Sequence, residues 1–218
     1  MQTYKLKDQQ LLLHPGRVIF WEKQSSLILS DPHFGKTGHF RKSGIAIPQN
    51  VYKEDLQRLV SLVQLFKPER LIIVGDLFHS ESNKELDFFK KWRADLRFLQ
   101  VQLIKGNHDI LPNSWYKEAD IDVCNEKMTV NGFCFCHDLA AVDPNTADTN
   151  LFYFSGHIHP GISIKGLGKQ SLRFPCFYFT NRFAILPAFS RFTGTHGIDA
   201  AKGDDVFAIV ENTILKVN

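Results

Sequence analysis

Leu71-Ile72-Ile73-Val74-Gly75-Asp76 is a short, wholly apolar run that ends in a glycine and a carboxylate. A run of this kind reads as a strand buried on both faces. The same construction recurs along the chain. Ser26-Leu27-Ile28-Leu29-Ser30 runs into Asp31-Pro32-His33, and Val101-Gln102-Leu103-Ile104-Lys105 runs into Gly106-Asn107-His108-Asp109. Phe133-Cys134-Phe135-Cys136 runs into His137, and Leu151-Phe152-Tyr153-Phe154-Ser155 into Gly156-His157-Ile158-His159. Each of these strands delivers a metal-liking side chain at its carboxyl end, where α/β sheets gather their ligand sites. Gly75, Gly106 and Gly156 stand at strand exits, where a missing side chain lets the backbone turn sharply and come close to a site.

The neighbouring segments complete a pattern. Residues 17–22 and 26–30 read as paired strands around a short turn. Residues 52–66 carry Leu56, Leu59, Val60 and Val63 at helical spacing, with Pro68 beyond their end. Residues 81–99 read as a second amphipathic helix with Leu86, Phe89 and Trp92 on one side and Lys90, Lys91 and Arg93 among the others. In the second half, residues 128–136, 151–155, 161–165, 172–179, 183–186, 206–210 and 214–217 read as strands, and only 113–119 as a short helix. A first half rich in βαβ units and a strand-rich second half predict stacked sheets flanked by helices. No repeat or linker divides the chain, so 1–218 is expected to be one domain.

Composition limits the function classes. The chain has 218 residues, 44% of them hydrophobic, enough for a sizeable core. Its 19 phenylalanines are read first as dense packing. A net charge of +3 permits a nucleic-acid partner without demanding one. Cys124, Cys134, Cys136 and Cys176 form no CxxC pattern and are read as reduced core thiols. The first residues lack the apolar run of a signal peptide, and no segment is long enough to span a bilayer, so a cytoplasmic location is expected.

The donors Asp31, His33, Asp76, Asn107, His137, His157 and His159 mix carboxylate and imidazole and include no thiolate. That suits divalent manganese, iron or zinc better than a structural zinc site. Seven donors are too many for one tetrahedral ion and enough for two ions sharing a carboxylate. Two metals about 3.5–4 Å apart can clamp the attacking and leaving oxygens of a phosphate ester. Each fragment alone is weak; the ordered set carries the reading.

This set resembles the calcineurin-like metallophosphoesterase superfamily, whose motifs D-x-H, G-D, G-N-H-[DE], a lone His and G-H-x-H occur here in order from Asp31 to His159. The resemblance implies an α/β (α+β) four-layer sandwich, two mixed β-sheets flanked by helices. It implies one metal on Asp31, His33, Asp76 and His159, and a second on Asp76, Asn107, His137 and His157, with Asp76 bridging and manganese the expected ion. His108 lies beside the substrate phosphate in similar enzymes, and Asp109 is expected to orient its ring. Two positions depart from the pattern. Pro32 stands where Leu is common, and Asp138 follows the lone His where many relatives have Gly, which makes His137 the least secure ligand by motif.

A narrower resemblance runs through Asp31-Pro32-His33-Phe34-Gly35-Lys36, Phe40-Arg41, Gly44 and Pro48 to Leu186-Pro187-Ala188-Phe189 and Thr193-Gly194, with an early His14-Pro15. Together these are similar to the DNA ligase-associated metallophosphoesterases. The resemblance implies a phosphodiesterase or DNA endonuclease of bacterial repair, associated with a ligase, a helicase and an exonuclease. A small-molecule phosphodiesterase or phosphomonoesterase, acting on cyclic nucleotides or nucleotide-sugars, is the alternative. A non-catalytic scaffold of the same fold is disfavoured because His108 and every expected ligand remain.

Further candidates lie outside the donor set. Lys36, His39, Arg41 and Lys42 follow the first ligand pair and read equally as a phosphate-backbone clamp or a solvated loop. His79 is a candidate for substrate contact, for a hydrogen bond behind the metals, or for a structural role. His14 and His196 are read as structural. Lys165, Lys169, Arg173, Arg182 and Arg191 are interleaved with Phe174, Phe177, Tyr178, Phe179, Phe183, Phe189 and Phe192. Base stacking is possible there, and core packing is the expected use.

Overall fold

A computed structural model describes residues 1–35, 50–79, 84–142, 148–166 and 170–217. Seven strands form a first sheet in sequential order: β1 (Gln2–Leu6), β2 (Gln9–His14), β3 (Val18–Trp21), β4 (Ser26–Ser30), β5 (Arg70–Val74), β6 (Gln100–Ile104) and β7 (Ile121–Cys124). The first four are antiparallel neighbours, and β4 to β7 are parallel. Parallel neighbours need crossovers, and these hold α1 (Asn50–Phe66), α2 (Lys84–Asp95) and α3 (Asn113–Glu118).

A second, nine-stranded mixed sheet contains β8 (Lys127–Val130), β9 (Phe133–Cys136), β10 (Phe152–Ser155), β11 (Pro160–Lys165), β12 (Ser171–Phe179), β13 (Phe183–Ile185), β14 (His196–Gly197), β15 (Asp205–Val210) and β16 (Thr213–Lys216). At its centre β9, β10 and β13 run parallel.

Alternation along the strands explains the apolar runs. Leu27, Leu29, Leu71, Ile73, Val101 and Leu103 face the helices, packing on Leu59, Leu62 and Val63 of α1 and Leu86, Phe89 and Trp92 of α2. Their neighbours Ile28, Ile72, Val74 and Ile104 face the second sheet and meet Phe133, Phe135, Phe154, Phe177 and Phe179. The phenylalanines therefore fill the layer between the sheets, as dense packing requires. The outer face of the second sheet carries a small cluster of Cys134, Cys136 and Tyr153, covered by Leu139 and Val142. All four cysteines are free thiols.

α1 ends where Lys67 takes a left-handed φ of 45° ahead of Pro68. α2 stops at Asp95, short of the expected 99, and its last turn is held by the buried Arg93, which donates to the Leu96 carbonyl and to Asp120. Segment 128–136 is a hairpin of β8 and β9 rather than one strand. Its turn, Asn131-Gly132, takes φ of 46° and 81°, the left-handed pair such two-residue turns require.

Candidate metal centre

Five strands end at one edge of the sandwich, β4, β5 and β6 from the first sheet and β9 and β10 from the second. Asp31 and His33 follow β4, Asp76 follows β5, Asn107 and His108 follow β6, His137 follows β9, and His157 and His159 follow β10. The backbone is strained there. Asp31, His33, Asp76, His157 and His159 all have φ between 47° and 65°. That region is unfavourable for residues with a side chain, and such strain gathers at functional sites.

The donors form two groups on either side of Asp76. In one, His33 Nε2 lies 3.3 Å from His159 Nε2, His159 Nε2 lies 3.3 Å from Asp31 Oδ1, and Asp76 Oδ2 stands 4.0 Å from His33 Nε2. In the other, His137 Nε2 has three neighbours: Asn107 Oδ1 at 3.2 Å, His157 Nδ1 at 3.3 Å and Asp76 Oδ1 at 3.5 Å. Asp31, Asp76, His33 and His137 are buried. Pairs of facing ring nitrogens beside buried carboxylates fit divalent cations, since lone pairs converge with no Lys or Arg among the described residues paired to either carboxylate.

The strand-exit glycines are part of this cradle. A Cβ on Gly75 would lie 1.9 Å from His137 Nδ1, and on Gly106 2.1 Å from Asp76 Oδ1. On Gly156 it would lie 2.4 Å from Asp31 Oδ2. Each glycine thus sits directly behind one donor. Hydrogen bonds fix the donors from behind as well. The His157 amide donates to the Asp31 carboxylate and the His108 amide to Asp76 Oδ1 at 2.9 Å. His137 Nδ1 faces the Val74 carbonyl at 3.2 Å, and Ser155 Oγ donates to the His137 carbonyl. A carbonyl only accepts, so Nδ1 carries a proton and Nε2 is turned to the site.

Within the donor set His137 and Asp76 form an ion pair. Burial pushes the His137 imidazole down, but the hydrogen bond it donates to Asp76 and the charges of Asp31 and Asp76 outweigh it and bring it up to about 9. Burial likewise works against the Asp76 carboxylate, yet His137, the His108 amide and His33 bring it down to about 2. The stabilisation from a raised His137 is complete below its ordinary 6.5 and is lost as pH rises through about 9. That from a depressed Asp76 is present above 3.8 and is lost as pH falls through about 2. Metal-free protein is therefore expected to lose thermal stability between pH 6.5 and 9. A divalent ion added at pH 7 must displace a proton from His137, so calorimetry in buffers of different ionisation enthalpy should register about one proton released. No buffer dependence would show that His137 keeps its proton on binding.

Other expected site residues divide. His108 stands beside the donors, with its ring 4.2 Å from that of His79 and 5.6 Å from that of His33. His79 therefore packs on His108 and, at 5.5 Å, on His33. The expectation that Asp109 orients the His108 ring is not met among the described hydrogen bonds. Asp109 is buried; its Oδ1 accepts from the Phe78 amide and its Oδ2 from the Gly106 amide. A carboxylate so engaged braces the two loops that leave β5 and β6, and burial raises it to about 7. Lys36, His39, Arg41 and Lys42 lie outside the described residues, as does Lys169. His14 accepts from the Gly16 amide and packs edge-on against Phe66, a structural use. His196 is exposed, and its amide donates to the His159 carbonyl.

One contribution was not legible in the spacing. Residues 187–191 leave β13 and cross to the first sheet, where Ala188 pairs with Ser30 and the Ser190 amide donates to the Asp31 carbonyl. Arg17 donates to the carbonyls of Ala188 and Ser190, and Arg58 to that of Phe189. Asp55 pairs with Arg58 at 2.8 Å and accepts from the Arg191 amide. This strap ties the strand exit of Asp31 to the second sheet. No periodicity marks Arg17, Asp55 or Arg58 for it.

Residues 25–209 match the model of the calcineurin-like phosphoesterases. The chain belongs to that family. It is a metal-dependent phosphoesterase, a hydrolase, with the α/β sandwich of two mixed sheets expected from its motifs. Over 99% of both chains, the phosphoesterase is similar to a nuclease, MPE, of Pseudomonas putida, with 27% identity and a TM-score of 0.82. This agrees with the narrower resemblance to the DNA ligase-associated group. Weaker likenesses are to the phosphoesterase Yfce of E. coli (11% identity, 88% and 97% of the two chains, TM-score 0.46). A protein of unknown function, AQ665 of Aquifex aeolicus, gives 20% identity over 62% and 78% with a TM-score of 0.42. No curated protein sequence matches. Among the described residues no helix is long and apolar enough to cross a membrane.

Proposed function

We propose that this phosphoesterase is a two-metal phosphodiesterase that cuts DNA in bacterial repair, with manganese as its working ion. The observation that carries the two-metal reading is the pair of donor groups flanking Asp76, each closed by two imidazole nitrogens 3.3 Å apart. Asp31, His33, Asp76 and His159 would hold one ion; Asp76, Asn107, His137 and His157 the other. Ions held by these residues would supply positive charge to neutralise the phosphate and would make the attacking water more acidic.

The chain's own residues do the rest. Asp76 presents one oxygen to each group. His137, held by Val74 and Ser155, keeps its Nε2 on the site. His108 lies beside the donors without being needed among them, and His79 packs on its ring; both support a role for the imidazole in giving a proton to the departing oxygen. Asp109 keeps the loops of Asp76 and His108 in register. The repair setting, with a ligase, helicase and exonuclease as partners, rests on the motif resemblance, and DNA on the likeness to a nuclease over the full chain. A cytoplasmic setting fits four free thiols.

The test is product analysis on defined single- and double-stranded DNA, beside matched aryl phosphate mono- and diesters, with manganese added. Internal cleavage of DNA and preference for the diester are expected. Hydrolysis of the small diester with DNA left intact would favour a small-molecule phosphodiesterase, and preference for the monoester a phosphatase.

A further inference from the structure

The seven donors of the metal centre are not equally open. Asp31, His33, Asp76 and His137 are buried, and His159 is half-buried. Asn107 and His157 are exposed, and both belong to the group on the His137 side of Asp76. They open into a groove of about 730 Å³ whose inner end is lined by Gly106, Asn107, His137 and His157. Asp31, His33, Asp76 and His159 take no part in its lining. Its volume lies within the roughly 300–1,000 Å³ of small-molecule sites.

The two long walls differ in chemistry. On one, Lys105 follows β6, Asn125 and Glu126 form the turn between β7 and β8, and Lys127 opens β8. Lys105 Nζ donates to Asn113 Oδ1 at 3.2 Å and lies 5.3 Å from the centre of the Tyr116 ring, which holds it against α3. Asn125, Glu126 and Lys127 are exposed, and their side chains make no hydrogen bond or ion pair among the described residues. On the other wall Cys136, Ala141 and Val142 are apolar. Asp138 stands among them, its Oδ1 accepting the Ala140 amide at 2.9 Å. Leu139 and Val142 pack on Cys134, Cys136 and Tyr153, so this wall is held in place from behind.

Such a groove suits a neutral polar group better than a phosphate. Lys105 and Lys127 are matched by Glu126 and Asp138, so its walls carry no net charge. A sugar or base can turn its hydrogen-bonding edge to Asn125, Glu126 and Lys127 and a face to Ala141 and Val142. His108 sets the direction. Its ring meets those of His33 and His79, and His33 stands on the other side of Asp76 from the groove. A leaving oxygen that takes its proton from His108 departs on that side. The ester group that stays on phosphorus is then on the side of Asn107 and His157, at the mouth of the groove.

We infer that this groove binds the nucleoside that stays on phosphorus when the diester is cut, its polar edge on Asn125, Glu126 and Lys127 and its flat face on Ala141 and Val142. This rests on the nuclease reading above, with His108 as proton donor, and assigns a subsite to one side of the scissile bond.

Three p-nitrophenyl phosphodiesters isolate this subsite. One carries thymidine through its primary hydroxyl, one thymidine through its secondary hydroxyl, and one a methyl group. Nitrophenolate is the better leaving group in all three, so the other group is retained. With manganese-loaded wild type, at least one thymidine ester should exceed the methyl ester about tenfold in kcat/KM, the contribution of one or two net hydrogen bonds. Ala141→Trp, which fills the groove, should abolish this advantage. Asn125→Ala and Lys127→Met should each reduce it about threefold. All three variants should match wild type on the methyl ester, which shows that fold and metals are intact. Equal rates for the thymidine and methyl esters in wild type, or an advantage unchanged in all three variants, overturns the subsite. Where Ala141→Trp loses the methyl ester as well, the other two variants decide, and an unchanged advantage in both overturns it. Oligothymidylate tests the nuclease reading separately. Wild type that hydrolyses the esters and leaves the oligonucleotide intact overturns that reading, while a thymidine advantage removed by the variants would still place a nucleoside in the groove.

Discussion

Asp76→Asn is expected to lower kcat/KM for any phosphodiester by roughly 10³-fold or more, while the protein stays folded. The reason is geometric. Asp76 Oδ1 accepts the His108 amide at 2.9 Å and lies 3.5 Å from His137 Nε2, while Oδ2 faces His33 at 4.0 Å. In asparagine one of these positions becomes an NH2 group, which cannot accept. The amide of His108 demands an acceptor, so the NH2 is forced toward His33, and the donor group of Asp31, His33 and His159 loses its shared member. Metal analysis should show the content falling from two ions per chain to about one. The same variant removes the charge that raises His137, so proton release on metal binding should shrink with it. Full activity in Asp76→Asn would mean that no ligand is shared.

His108→Ala should keep both metals and cut turnover by ~10²–10⁴-fold, the usual range for lost acid–base help. The loss should be graded. A nitrophenolate leaving group needs little protonation and should suffer least; an alkoxide, as in DNA, should suffer most. Aryl diesters of rising leaving-group pKa, run on wild type and variant with metal content measured in parallel, give this slope directly. Equal impairment across the series would make His108 a charge stabiliser or positioning residue. Loss of a metal would place it among the ligands. His108 contacts the site through its ring faces toward His79 and His33 and through its amide to Asp76, so removing the ring leaves the amide contact in place.

Much of the site was legible because its residues sit where strands end. An apolar run buried on both faces has only its exit free for chemistry, and every exit flagged in the sequence, from Asp31 to His159, reaches the same edge. Other features were hidden for physical reasons. β2 contains Leu11, Leu12 and Leu13 in a row, and only Leu11 and Leu13 are fully buried, so its alternation is masked by one half-buried leucine. β7 has four residues and too little pattern to read. In β8 and β9 the apolar alternation continues across the Asn131-Gly132 turn and imitates one strand. Asp109 was assigned to His108 by its position in the chain, but two backbone amides reach it first. The strap and its arginines depend on contacts between residues more than a hundred positions apart, which no local pattern records.

The two-metal centre is tested most directly by anomalous scattering from crystals grown with manganese. Two peaks about 3.5–4 Å apart are expected, one among Asp31, His33 and His159 and the other among Asn107, His137 and His157, with one Asp76 oxygen at each. A single tetrahedral ion with Asp76 outside its ligands would contradict it.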